Sequence, residues 1–71
     1  MALNRRLLTD DDFEEAVRRE LRVRVFQDDF IVSSGGIVIR FEDGMVAVQT
    51  SVSDVAYYDR QRCEFFEIRK S

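Results

Sequence analysis

The sequence predicts an α+β fold, with one N-terminal amphipathic helix packed on a four- or five-stranded antiparallel β-meander. Three observations predict it. Apolar residues recur at helical spacing up to Leu21 and alternate beyond it; a helix-start signal precedes that change; and Asp43-Gly44 marks a tight hairpin after it. The 71 residues make a single domain, with residues 1–8 read as a loose N-terminal arm and 9–71 as the folded unit. Lys70-Ser71 reads as a frayed end.

The helix is predicted from about Asp10 to Glu20. Thr9 is a good N-cap, and Asp12 is placed to reach back as the second half of a capping box. Leu8 and Phe13 have the spacing of a hydrophobic staple. Asp10, Asp11 and Asp12 sit where the helix dipole favours negative charge, and Arg18, Arg19 and Arg22 lie toward the opposite end. Glu14–Arg18 and Glu15–Arg19 are favourably oriented i,i+4 pairs. Phe13, Ala16, Val17 and Leu21 form the apolar stripe.

Leu21, Val23 and Val25 then alternate with Arg22, Arg24 and Phe26 as a half-buried strand does. Asp28-Asp29 connects it to a short strand over Phe30 to Ser33, and Gly35-Gly36 is expected to turn the chain at positive φ. With Asp43-Gly44 at a hairpin tip, Phe41 faces Val46, Arg40 faces Ala47 and Ile39 faces Val48. In that register Ile37, Ile39, Phe41, Val46 and Val48 share the inner side. Over residues 51–61, Val55, Tyr57 and Tyr58 favour a strand, with a short helix capped by Ser53 as the alternative. The last strand, Arg62 to Arg69, places Phe66 and Ile68 on one face, Cys63 and Phe65 on the other. The expected inner layer is Phe13, Val17, Leu21, Val23, Val25, Ile37, Ile39, Phe41, Val46, Val48, Phe66 and Ile68.

A chain this small buries only roughly 60% of its unfolded surface, and such folds usually recruit a disulfide, a metal or a partner. One cysteine and no histidine exclude an internal disulfide and argue against structural zinc, so a homo-oligomer, most simply a dimer, is expected. Residues 1–8 hold no apolar run of signal-peptide length, and no stretch is long enough for a membrane helix, so the chain reads as cytoplasmic.

The missing histidine removes the commonest general base near neutral pH, and Glu64 beside Cys63 disfavours a thiolate. Asp10–Asp12, Asp28–Asp29 and Glu42–Asp43 are explained by capping and turns rather than by a cation. Gly35-Gly36 lacks the lysine and the following helix of a phosphate loop. No catalytic, cofactor or metal residue is therefore assigned. The net charge of −3 argues against a dedicated nucleic-acid binder, although ten of the eleven basic residues are arginine. Function is expected to be that of a small non-enzymatic interaction module, of the accessory or inhibitor type found in bacteria and their phages. Its partner surface is read as Tyr57, Tyr58, Arg60, Arg62 and Phe65, since aromatic residues and arginine dominate interface hot spots. The alternative is nucleic-acid contact through Arg22, Arg24 and Arg40 with Phe26 interleaved.

Overall fold

A two-residue strand opens the described chain, ahead of the helix: β1 (Arg6–Leu7), α1 (Asp10–Arg19), β2 (Arg22–Gln27), β3 (Phe30–Phe41), β4 (Met45–Ser51), β5 (Asp54–Asp59) and β6 (Cys63–Glu67) follow in turn. This is a computed structural model, and it describes residues 5–68. The strands form one antiparallel sheet in the order β1-β6-β2-β3-β4-β5. Six strands replace the four or five expected, and the helix comes second in chain order rather than first. The expected loose arm is corrected from Arg6 onward, because β1 pairs with β6 and Leu7 enters the core. Residues 1–4 and the expected frayed end at Lys70-Ser71 lie outside the described residues.

Local signals form α1 as the sequence predicts. Thr9 Oγ1 accepts the Asp12 N–H at 3.1 Å. Asp12 in return accepts the N–H groups of Leu8 and Thr9 at 2.9 and 3.1 Å. Glu20 ends the helix in the left-handed region at φ 53°, and the Leu21 N–H reaches back to the Ala16 carbonyl. Leu8 remains exposed while Phe13 is buried, so the staple contributes little apolar burial.

The cap makes stability depend on pH. The Leu8 and Thr9 N–H groups hold the Asp12 carboxyl below its ordinary value of 3.8, with Arg5 adding a smaller effect. A depressed folded pKa contributes stability that is present above the unfolded value and lost as pH falls through the folded one. Melting temperature should therefore fall as pH drops below about 4, and Asp12→Asn should flatten that fall while lowering stability near neutrality. Thermal melts of both proteins across that range check it; equal slopes would refute it.

Bulges redirect the sheet. Asp28 and Asp29, at φ 53° and 69°, form the β2–β3 hairpin turn, with Gln27 facing Phe30. Gly35-Gly36 does not turn the chain, as was expected, but lies inside the continuous β3. Gly35 takes φ 95° where the β2–β3 register shifts. A second shift between Val38 and Arg40 bulges Ile39 outward and makes Val38, not Ile39, face Val48. The expected Asp43-Gly44 tip stands, with Phe41 opposite Val46 and Arg40 opposite Ala47. Residues 54–59 are a strand, as preferred, entered through Val52-Ser53.

The sheet curls until Tyr58 on β5 meets Phe65 on β6, ring centroids 6.4 Å apart. Its concave side holds Leu7, Val23, Val25, Val38, Val46, Val48, Cys63 and Phe65, against which α1 packs Phe13 and Ala16. The assignment of the last strand inverts: Cys63, Phe65 and Glu67 face inward and Phe66 outward. Glu67 can sit inside because Arg5 Nε lies 3.3 Å from its carboxylate.

Candidate functional site

The five residues expected to form one partner surface separate by the two-residue alternation of β5 and the inverted face of β6. Phe65 is 1% exposed, edge-on to Phe13 at 5.4 Å, and belongs to the core. Tyr58 faces inward, its hydroxyl donating to the Val32 carbonyl at 3.5 Å. Tyr57 points the other way and is 62% exposed. Arg62 is exposed in the β5–β6 turn, where its N–H donates to Asp59.

Arg60 is structural in this arrangement. Its side chain is 12% exposed and ion-paired with Asp10 at 2.7 Å. The guanidinium lies 4.6 Å from the Phe13 ring centroid and 5.6 Å from that of Phe41. It donates to the carbonyls of Glu42 at 3.0 Å and Leu8 at 3.5 Å. It thereby ties together the chain before α1, the β3–β4 hairpin and the β5–β6 turn.

Arg22, Arg24 and Arg40 do share the convex face. Arg22 donates to the Gly35 carbonyl, Arg24 is half-buried opposite Phe66, and Arg40 stands exposed opposite Ala47. Cys63 is a buried free thiol. Burial pushes its pKa up and the Asp59 charge adds to the rise, which disfavours the thiolate. Among the described residues no group of three or more histidine, cysteine, aspartate or glutamate side chains is arranged to hold a metal ion, and no helix is long and apolar enough to cross a membrane.

Two exposed features remain. One is the edge of β5. The Arg60 N–H donates to the Gly44 carbonyl, and Tyr58 stands opposite Val46 two residues back in the same ladder. Alternate residues of an antiparallel strand bond to the same neighbour. Ala56 and Tyr58 therefore serve β4, and the main-chain groups of Val55, Tyr57 and Asp59 point to the free edge. The other feature is a convex apolar region that sequence reasoning missed, at Phe26, Ile31 and Phe66. A hairpin turn read at Asp28-Asp29, carried through to its register, would have placed Ile31 opposite Phe26. Comparison with protein-family models, curated proteins and solved structures finds no match for the chain.

Proposed function

We propose that the protein is a small non-enzymatic interaction module of the accessory or inhibitor type, acting in the cytoplasm and assembling as a two-fold dimer through β5. The observation that carries this reading is the open edge of β5: outward main-chain groups at Val55, Tyr57 and Asp59, flanked by exposed Val55 and Tyr57 side chains, with no proline or lysine to block pairing. A two-fold axis at Ala56 sets Val55 against Tyr57 of the second copy, so that outward-pointing groups bond with outward-pointing groups. Asp54 then faces Tyr58 and Ser53 faces Asp59, and no like charges stand opposite each other. Each Val–Tyr cross-strand pair contributes roughly 0.2–1 kcal/mol beyond the ladder.

Tyr57→Pro tests it, because the Tyr57 N–H points away from β4 and proline there removes no hydrogen bond of the monomer. Light scattering behind size exclusion should show a dimer for the wild type over about a hundredfold range of concentration and a monomer for the variant, with unchanged circular dichroism. A wild-type monomer throughout would overturn the reading.

The nucleic-acid reading has one observation in its favour, the common face of Arg22, Arg24 and Arg40. Asp29 and Glu64, which line a cleft on that side of β2 and β6, and the net charge of −3 weaken it. Nucleic acid that co-purifies with the wild type and is lost with Arg22→Glu, Arg24→Glu would favour it over the dimer surface.

A further inference from the structure

Beyond β4 and β3 in the sheet, β2 and its neighbour β6 bring Phe26 and Phe66 together on the convex face. Their ring centroids are 5.6 Å apart and their planes stand at 87°. A cleft of about 340 Å³ opens over them, lined by Phe26, Asp29, Glu64 and Phe66. Ile31, directly opposite Phe26 on the same face, is 54% exposed. An apolar side chain that far into water, next to two ring faces, forms a contiguous patch with them rather than an isolated exposed residue.

The charged side chains that line this cleft, Asp29 and Glu64, are both acidic. Among the described residues the ion pairs involve Arg5, Arg19 and Arg60 with Asp10, Asp12, Glu15 and Glu67. Asp29 and Glu64 take part in none of them. Arg24 on β2 and Arg6 on β1 stand opposite Phe66 on either side of β6, and neither pairs with Asp29 or Glu64.

The molecule itself shows what two rings and a carboxylate hold. At Arg60 a guanidinium lies over Phe13 and Phe41, with Asp10 at 2.7 Å. There the chain supplies all three parts. At the Phe26–Phe66 cleft it supplies the rings and two carboxylates, and no described arginine is seated between them.

The geometry points to this cleft as a docking site for an arginine side chain carried on an apolar segment of a partner protein. The planar guanidinium stacks on a ring face and offers a fork of donors to Asp29 and Glu64. Its aliphatic stem and the neighbouring apolar residues cover Ile31. A lysine has no planar face to stack and presents a single point charge, so it is the poorer occupant. This deepens the interaction-module reading and rests on it, but not on the β5 dimer.

The test is a nuclear magnetic resonance titration of the isotope-labelled protein with acetyl-Leu-Arg-Leu-amide, run on the wild type and on Tyr57→Pro. Shifts should converge on Phe26, Asp29, Glu64 and Phe66 in both proteins. Binding should weaken about tenfold when the peptide arginine becomes glutamine, and similarly with Asp29→Asn, Glu64→Gln, whose spectrum should remain that of a folded protein. No shift at millimolar peptide, shifts elsewhere, or equal binding of the glutamine peptide would overturn the proposal. A failed titration beside a dimer sensitive to Tyr57→Pro rejects the cleft alone; a monomeric wild type that binds the peptide rejects the β5 dimer alone.

Discussion

Phe65→Ala is expected to lower the unfolding free energy by about 3–5 kcal/mol, the range for a fully buried phenylalanine. Phe65 is 1% exposed and packs edge-on against Phe13 from the helix and Tyr58 from β5. Its removal opens a cavity at the point where three separate elements converge. A chain of 71 residues has a total stability of roughly 4–11 kcal/mol, so the variant should be near or past its folding threshold. Tyr57→Ala, on the opposite side of the same sheet, should change monomer stability by no more than about 0.5 kcal/mol. Urea unfolding of the two variants measures the difference. Similar losses for both would mean that β6 presents its other face to the core.

Gly36→Ala is the second large effect. A Cβ at Gly36 would overlap Val48 Cγ1 and approach the Gln49 carbonyl to 3.1 Å. Neither neighbour yields easily. Val48 is a buried, β-branched side chain with one favoured rotamer, and Gln49 is held between β3 and β5. The two central strands must separate or shift register, and the expected loss is about 2–3 kcal/mol. Gly44, which has open space around its Cα, is the control: Gly44→Ala should leave the melting temperature nearly unchanged. Equal effects at the two glycines would remove the packing argument.

What was legible in the sequence was whatever is decided locally. Thr9 and Asp12 close the capping box through groups three residues apart, and the Asp43-Gly44 tip orders the residues nearest to it. What was not legible depended on partners distant in sequence. Ile37 and Ile39 look like a core face until a bulge at Ile39 hands that face to Val38, and nothing in a stretch of alternating apolar residues marks where the extra residue falls. Glu67 argues for turning its strand the other way unless Arg5, more than sixty residues earlier in the chain, is already known to pair with it. Arg60 carries every sign of a solvated turn residue, and its place beneath Phe13 and Phe41 exists only after the sheet has curled. The aromatic cluster was legible as surplus apolar surface. Its division between the core and the convex face was not, since Tyr57 and Tyr58, or Phe65 and Phe66, exchange roles with a shift of one residue.

The Arg60 clasp also has a consequence for the order of events in folding. Its bond to the Leu8 carbonyl joins groups 52 residues apart, and its seat requires α1, the β3–β4 hairpin and the β5–β6 turn to be in place beforehand. Closing so long a loop comes late, after the local hairpins have formed. The clasp is thus expected to act chiefly on the unfolding limb, so that Arg60→Ala raises the unfolding rate more than it lowers the folding rate.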